Sequence, residues 1–428
     1  MKKMNVLVFP CGSEIGLEIY ESVAYSTHFK LYGASSVDDH GMYVYENYIP
    51  GLPQVGDNGF IDSINRIIKE NNIDFIFPAH DSVVLRLSES AEKGELGCTV
   101  VTSVYDTCLI ARSKKMTYDK LGTIIDVPKL YDNSKITDDM FPVFMKPDVG
   151  QGSKGVHIAE NIDDVDFYFK KDPTLLTMEY LPGPEYTIDC FTDYKGKLRY
   201  VSGRVRQRIS NGISVSAATV EDDRFGQIAE QINNALKFNG VWFFQVKENT
   251  EGNLVLLEIA PRIAGTMGHD RVRGVNLALL SLFNAAEIDV DIYLEGRVVF
   301  TDRALKALYK HDVKYEHVYI DFDDLILMNG HVSPRIIAFL YQCINRQAAV
   351  HLLTKHTLDI HETLVKYRLG QLFDTVTKIE PEDNKYKYIT HKDAIFIDDS
   401  FAERKEVYEK CGIPTFDMHS IDLLIEKL

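Results

Sequence analysis

No stretch of 18 apolar residues occurs anywhere in the chain. The longest apolar runs, such as Val6–Pro10 and Ile395–Ile397, suit buried strands and are too short for a membrane span. No CxxC pair is present either. Six cysteines (Cys11, Cys98, Cys108, Cys190, Cys343, Cys411) lie far apart, a pattern that implies reduced thiols and argues against a structural zinc site. The 13 histidines include no HExxH and show no metal-ligand spacing. Basic charge is in short supply: 47 Lys and Arg face 63 Asp and Glu, a formal net charge of −16. A phosphate backbone wants a basic surface, so a nucleic-acid groove is not expected. A few lysines and backbone N–H groups still suffice to bind one anionic nucleotide locally. The GxxxxGK[ST] loop of P-loop NTPases is absent. No low-complexity tract suggests a disordered arm. Met1-Lys2-Lys3-Met4-Asn5 leads into a strand and a glycine turn, not a signal-peptide pattern. The expectation is a cytoplasmic protein with neither membrane nor nucleic acid as partner.

What is present is the material for several cores. A chain of 428 residues, 45% apolar and 26% charged, is expected to divide into two or three domains. Asn5–Pro10 reads as a strand, Gly12–Gly16 as a turn and Leu17–Ala24 as a helix start. Ile61, Ile64, Ile67 and Ile68 recur at helical spacing before a strand at Asp74–Pro78, so the first 110 residues read as βα repetition with a parallel sheet. A helix is expected after Ala111, with its exit at Pro128, and then a strand at Phe141–Met145. Two hairpins follow: Asp189–Phe191 with Leu198–Ser202, and Val241–Glu248 with Leu254–Ala260 turning over Glu251-Gly252. This α+β character gives way near residue 305, after which strands at Val318–Asp321, Ala349–Leu353 and Ala394–Asp398 return to the βα pattern. The fold class is therefore α/β and α+β in several domains, at 1–110, 111–304 and 315–428.

Three anchors in the middle segment carry chemistry. Lys146 ends an apolar strand and is followed by Gly150, Gly152 and Gly155. A buried lysine calls for an anionic partner, and closely spaced glycines let backbone N–H groups approach oxygens; a surface loop with a snorkelling lysine is the alternative. Glu179-Tyr180-Leu181-Pro-Gly-Pro-Glu185 offers either an extended edge for a base, with a carboxylate near a ribose, or a plain Pro/Gly turn. In the second hairpin, residues summing to 503 lie opposite each other, which sets Gln245 beside Glu258 on one face with Glu248 on the other. Such an oxygen-rich patch suits Mg²⁺, and a solvated hairpin face is the alternative. Arg204, Arg206 and Arg208 alternate along one strand, as a cationic edge for a carboxylate or as a solvated face. Asn211-Gly212-Ile-Ser214 reads as a substrate-side loop.

In this order and spacing the three anchors resemble the ATP-grasp superfamily, closest to its carbamoyl-phosphate-synthase-like branch, over about residues 1–300. The resemblance implies a βα pre-grasp domain followed by an ATP-grasp fold. It implies that Lys114 and Lys146 bind phosphates and that Gly150, Gly152 and Gly155 form the loop over them. Glu179, Tyr180 and Leu181 would line the adenine cleft, with Glu185 near the ribose. Glu258 and Gln245 would hold Mg²⁺, and Arg262 would face the transferred phosphate or acyl phosphate. The family's usual Glu-x-Asn-Pro-Arg reads Glu258-Ile-Ala260-Pro-Arg262 here, without the asparagine ligand, and Gln245 replaces the usual carboxylate. ATP and Mg²⁺ are the implied cofactors, and small carboxylates and amines the implied substrates. One module, where carbamoyl phosphate synthesis usually needs two, points to a single carboxylate–amine ligation.

Near the other end, three strand ends carry polar groups: Asp321 with Asp323 and Asp324, then Thr354-Lys355, then Asp398 with Asp399. Ligand crevices in open parallel sheets lie at those carboxyl ends, though acidic strand ends also serve as helix caps. Lys385 precedes the last strand. The pattern resembles the haloacid-dehalogenase-like phosphohydrolases over about residues 315–428 and implies a Rossmann-like fold. Asp321 would then be the nucleophile and Asp323 the acid/base. Thr354 and Lys385 would steady a phosphate, and Asp321, Asp323, Asp398 and Asp399 would supply the Mg²⁺ site. Leu325 stands where that family's DxDxT has its hydroxyl. The loop Ile326–Ser333 is too short for an inserted cap, which favours a large or protein-tethered phosphorylated substrate. The leading expectation is a ligase with an appended phosphomonoesterase. A ligase whose last domain is a binding or oligomerisation platform, and a non-catalytic nucleotide sensor, are the alternatives; homo-oligomerisation is left open.

Overall fold

The computed structural model describes residues 3–150, 152, 154–210, 212–294 and 296–426. Asn211 of the expected substrate-side loop, and Gln151 and Ser153 of the glycine-rich segment, lie outside the described residues. The chain divides into two compact units, Met1–Lys306 and Ala307–Leu428. No helix among the described residues is long and apolar enough to cross a membrane.

The first unit opens with a five-stranded parallel sheet: β1 Met4–Phe9, β2 Phe29–Ala34, β3 Tyr48–Ile49, β4 Phe75–Pro78 and β5 Thr99–Val100, in the order β3-β2-β1-β4-β5. The first helix spans Glu14–Val23, starting three residues earlier than Leu17, because Ser13 Oγ accepts from Gly16 N and caps it. The helix expected after Ala111 is two helices, Tyr105–Arg112 and Lys114–Leu121. Ser113 is extended between them, caps the second at Met116 N, and bonds the Asp148 carboxylate at 2.9 and 3.0 Å. That helix ends at Leu121, well short of Pro128.

Next come β6 Leu130–Tyr131, β7 Val143–Pro147, β8 His157–Ala159 and β9 Leu175–Glu179, an antiparallel sheet ordered β6-β9-β7-β8. A second antiparallel sheet holds β10 Glu185–Thr192, β11 Leu198–Ser210, β12 Ile213–Val220, β13 Gly240–Glu248, β14 Leu254–Ala260 and β15 Phe300–Asp302, ordered β14-β13-β10-β11-β12-β15. Side chains alternate across a strand. Ile188, Cys190, Phe244 and Val246 therefore share one face and pack with Phe225, Ala229 and Ile232 of the helix Asp223–Ala235. Thr187, Asp189 and Gln245 fall on the other face. Gln245 pairs with Glu258, as residues summing to 503 should, but the register shifts between Gln245 and Val246, so that Val246 faces Leu256 and Leu257 is left over. This bulge changes the alternation: Leu254 and Leu256 point to the core, and beyond it Ile259 does, leaving Glu258 on the side of Gln245.

In the second unit, β16 His317–Ile320, β17 Leu327–Met328, β18 His331–Val332, β19 Ala349–Thr354, β20 Thr375–Lys378, β21 Ala394–Ile397 and β22 Thr415–Phe416 follow in sequence. Five of them form a parallel sheet, β20-β19-β16-β21-β22, and β17 with β18 makes a small hairpin after the first strand. Leu325 is fully buried in the core with Phe322, Ile326, Ile336 and Phe339. Its position is a packing position, which explains an apolar residue there.

Candidate functional site

In the first unit, β7, β9 and the β13–β14 hairpin enclose an open cleft of about 920 Å³. Lys114, Lys146, Gly150, Gly152, Glu179, Tyr180, Leu181, Glu185, Gln245 and Glu258 all line it. Gly155 is absent from that lining; its φ of +73° and a close Pro147 make it a turn residue that a side chain would strain. Arg262 lines two adjoining cavities, each of which also reaches Glu258 and Gly152.

The two lysines are the unusual feature. Each is less than a tenth exposed, yet among the described residues no carboxylate is hydrogen-bonded to either. Lys146 Nζ donates to Leu257 O at 3.4 Å and lies 5.6 Å from the Tyr118 ring centroid, while Lys114 Nζ donates to Asp148 O at 3.2 Å. Leu257 is the bulged residue of β14; its carbonyl also accepts from Tyr118 Oη at 2.8 Å. Burial, with neighbouring Lys114 adding to it, pulls Lys146 down to about 8, and burial also lowers Lys114 although Glu258 opposes it. Such amines are short of negative charge.

The other groups are held by specific partners. Glu179 Oε1 accepts from Lys129 N at 3.0 Å, and Gln245 Nε2 donates to Thr187 Oγ1 at 3.3 Å. Arg206 pairs with Glu185, and Arg206 Nη2 donates to Gly212 O at 3.0 Å. The alternating arginines do not form one edge. A register irregularity separates Arg206 from Arg208, and Arg208 is exposed against Asp302. Arg204 is fully buried, pairing with Asp189 and donating from Nε to Thr266 Oγ1 at 2.8 Å. Removing one member of a buried pair strands the other charge. Arg204→Leu is accordingly expected to destabilise the first unit by about 3–5 kcal/mol. Urea denaturation would measure this, with Arg204→Leu/Asp189→Leu recovering part of the loss.

Asp81 was not legible as a site residue. It opens the helix Asp81–Glu92 just after β4, and its two oxygens take Arg262 Nε at 2.5 Å and Nη2 at 2.8 Å. Burial pushes the Asp81 carboxyl up, but Arg262 outweighs it and holds the group below the ordinary range. Arg262 Nη1 donates to Ile263 O at 2.8 Å, so the guanidinium is fixed in place on the wall of the cavity. The signal available in the sequence was a carboxylate just past a parallel strand's carboxyl end.

In the second unit, Lys385 Nζ sits 2.6 Å from Asp398 Oδ2 and 3.0 Å from Asp321 Oδ1, and the lysine is 1% exposed. Asp321, Asp398 and Asp399 bring carboxylate oxygens within 4.8 Å of one another. Burial lifts Asp321 and Asp398 above the ordinary carboxylate range, against the pull of Lys385. Thr354 is fully buried, and its Oγ1 accepts from His356 N at 3.1 Å. Asp323 stands outside the three-carboxylate cluster; both of its oxygens are 3.0 Å from His356 Nδ1. Its side chain is paired with His356 instead. His356, only two residues past Thr354, escaped sequence reading; its Nε2 is 3.0 Å from Thr363 Oγ1.

Comparison with known proteins agrees with this geometry. A family model described as "ATP-grasp in the biosynthetic pathway with Ter operon" matches residues 171–299. A carbamoyl-phosphate synthase of Methanobrevibacter smithii is 27% identical over 186 residues, 37% of this chain and 50% of that protein. The chain thus spans half or less of the length of the curated relatives it matches. Among solved structures, the biotin carboxylase domain of the Hydrogenobacter thermophilus 2-oxoglutarate carboxylase, in complex with MgADP, ADP and bicarbonate, superposes with a TM-score of 0.57 at 14% identity. That match covers 68% of this chain and 72% of the other. An L-amino acid ligase from Bacillus licheniformis superposes with a TM-score of 0.53 at 17% identity, covering 66% and 74%. With two antiparallel sheets flanking a lysine-lined cleft, the chain resembles ATP-grasp enzymes: residues 171–299 match an ATP-grasp family model, and the relatives similar in sequence include carbamoyl-phosphate synthases.

Proposed function

We propose that the chain is an ATP-dependent, ADP-forming carboxylate–amine ligase, with residues 1–110 as the pre-grasp domain and 111–304 as the ATP-grasp domain. The observation that carries this reading is the pair of buried lysines, Lys114 and Lys146, facing Glu258 across one cleft. Two ammonium groups without an ion-pairing carboxylate among the described residues fit the phosphates of ATP. Glu258 Oε and Gln245 Oε1, side by side across β13 and β14, are hard oxygen donors that fit Mg²⁺, which retains waters and shares phosphate oxygens. When bound, Mg²⁺ would supply neutralisation of phosphate charge.

The residues of the chain then divide the work. Lys114 and Lys146 hold phosphate oxygens, and the backbone at Gly150 and Gly152 closes on them without side-chain obstruction. Tyr180 and Leu181 give the base an apolar edge. Arg262, aimed by Asp81, presents its remaining donors to the oxyanion that develops as the γ-phosphoryl passes to the substrate carboxylate. The amine attacks the carbonyl carbon of the resulting acyl phosphate, the C–N bond forms, the C–O bond to phosphate breaks so that inorganic phosphate leaves, and the amine proton goes to solvent. The test is ADP release across pairs of carboxylates and amines. Release that needs both partners supports the reading, and tight ATP binding with no partner-dependent release overturns it in favour of a nucleotide sensor.

Two further results are expected. Glu258→Gln should raise the Mg²⁺ concentration for half-maximal ADP release at least tenfold, about 1.4 kcal/mol, as Gln245 would leave the pair without a carboxylate. A magnesium titration checks this. The second concerns pH. In the unfolded chain Lys146 titrates at about 10.4, so between about 8 and that value the nucleotide-free fold binds fewer protons than the unfolded chain. Burying this ammonium therefore costs stability below about pH 8, and stability rises as pH climbs through the window. Nucleotide affinity runs the other way. The dissociation constant for ADP should weaken by up to about tenfold per pH unit above 8, and Lys146→Arg, charged throughout, should flatten the profile in a calorimetric titration.

For residues 315–428 we propose a haloacid-dehalogenase-like fold with Mg²⁺-dependent phosphomonoesterase activity. The Lys385 bridge between Asp321 and Asp398 favours it over a mere binding platform. Asp321, Asp398 and Asp399 would hold the ion, whose charge lets both buried carboxylates ionise. Asp321 would attack phosphorus. Asp323, oriented by His356, would protonate the leaving oxygen and then take a proton from water.

A further inference from the structure

We propose that His317, His351 and His391 form a second metal site in residues 307–428, for a late first-row divalent ion of the Zn²⁺ class. Each histidine offers a ring nitrogen, and the three nitrogens lie within 4.8 Å of one another. His317 opens β16, His351 is the third residue of β19, and His391 lies three residues before β21. Parallel pairing puts His351 opposite Tyr319, two residues from His317 and on the same face. The His391 loop is drawn against β16 because Asp393 O accepts from Glu316 N at 2.9 Å and His317 N at 3.3 Å. The site is separate from the carboxylate cluster: Asp321 follows His317 by four residues of extended chain, about 13 Å along the sheet.

Two of the three imidazoles already hold nitrogens near the spacing of ligands on one ion. His317 Nδ1 and His351 Nε2 are already 3.0 Å apart. Two nitrogens on a tetrahedral ion, with Zn–N near 2.0–2.1 Å, stand about 3.3 Å apart. The opposite nitrogen of His351 meets Thr375 Oγ1 at 2.8 Å, and Nδ1 of His391 meets Tyr319 Oη at 2.6 Å. Where a ring nitrogen donates to such a hydroxyl, the other nitrogen is left with a lone pair, the arrangement that orients histidine ligands. The three rings lie within 18° of parallel, and those of His317 and His391 stack at 3.5 Å between centroids, so a shared ion, which lies in the plane of each ligating ring, requires the partly exposed His391 ring to turn out of the stack on binding. Either nitrogen of the His317–His351 pair can carry the shared proton, and metal binding would require that proton to leave for an outer ring nitrogen or solvent, so that both inner lone pairs reach the ion. Imidazole donors without a carboxylate select Zn²⁺, Co²⁺ or Ni²⁺ over Mg²⁺. The ion would clamp β16, β19 and the loop entering β21.

The experiment uses the full-length protein, freed of metal by chelation and kept in excess Mg²⁺ so that hard-oxygen sites are occupied. Titration with Co²⁺ is followed by its visible absorption and by thermal unfolding, then repeated with Zn²⁺ competing. The expected result is one equivalent of Co²⁺ with a tetrahedral-type spectrum, displaced by Zn²⁺, together with a rise in melting temperature. His317→Gln and His391→Gln, both at partly exposed positions, should each weaken binding at least tenfold while retaining a cooperative melt without metal. Variants of His351, which is buried, are avoided. Stoichiometric binding that both variants retain would overturn the proposal, as would no Co²⁺ binding to the parent. A melting temperature that responds to acid but not to Co²⁺ or Zn²⁺ would overturn it too, leaving a proton-sensitive histidine stack only.

Discussion

Lys146→Met is expected to lower ATP-dependent ADP release by about 10²–10³-fold, the usual effect of losing one preorganised donor to a developing phosphate charge. Methionine keeps most of the length and fills the same space beside Tyr118, so the change removes charge with little change in packing. The magnitude follows from position. Lys146 is 8% exposed, between β9 on one side and the bulged Leu257 carbonyl on the other, where water screens little. The variant should be at least as stable as the parent, since the burial of an ammonium that pulls its titration down to about 8 is itself a cost of folding. A higher melting temperature together with lost turnover separates a binding role from a structural one. Unchanged ADP release with the best carboxylate–amine pair would remove Lys146 from the site.

The second large effect is expected at Asp321. With an aryl phosphate and Mg²⁺, the full-length protein should release phosphate without ATP, and Asp321→Asn should reduce that rate by at least about 10³-fold, as loss of a nucleophile does. Asparagine keeps the shape against Lys385 but removes the charge and most of the nucleophilicity. Lys146→Met should leave this activity intact. The pairing of Lys385 with both Asp321 and Asp398 means the variant also releases one constraint on the lysine, so folding is to be checked by its melt. Asp323→Asn should be slower in leaving-group departure, with a smaller loss for activated esters than for alkyl ones. Equal release by parent and Asp321→Asn would assign the activity to other residues, and no release from a broad ester panel would leave this unit as a binding platform.

Much of the cleft was legible in the sequence because its parts are local. A lysine closing an apolar strand before three glycines, and a hairpin whose turn residues set Gln245 against Glu258, need only short-range geometry to be seen, and the pairing at Gln245–Glu258 is the one observed. The acids at the ends of β16 and β21 were visible for the same reason, since strand ends can be read from apolar runs. The bulge at Leu257 could not be read. Period-two alternation has no mark for an extra residue, and it is the bulge that turns a carbonyl toward Lys146 and Tyr118.

Partners distant in sequence were decided by the tertiary structure alone. Arg204 looked like one of three equivalent strand arginines until β10 placed Asp189 against it, and Arg262 finds Asp81 some 180 residues earlier. His356 captures Asp323 across two strand ends. The three histidines share no sequence spacing, being more than thirty residues apart, and only parallel pairing of β16 with its neighbours on both sides brings them together. By itself the sequence determined the main apolar strands and hairpins and which side chains carry charge, since these follow from the chemistry of neighbouring residues. Which charges meet was settled by chain topology, because ion pairing and ligation act over a few ångströms in space and no local pattern encodes them.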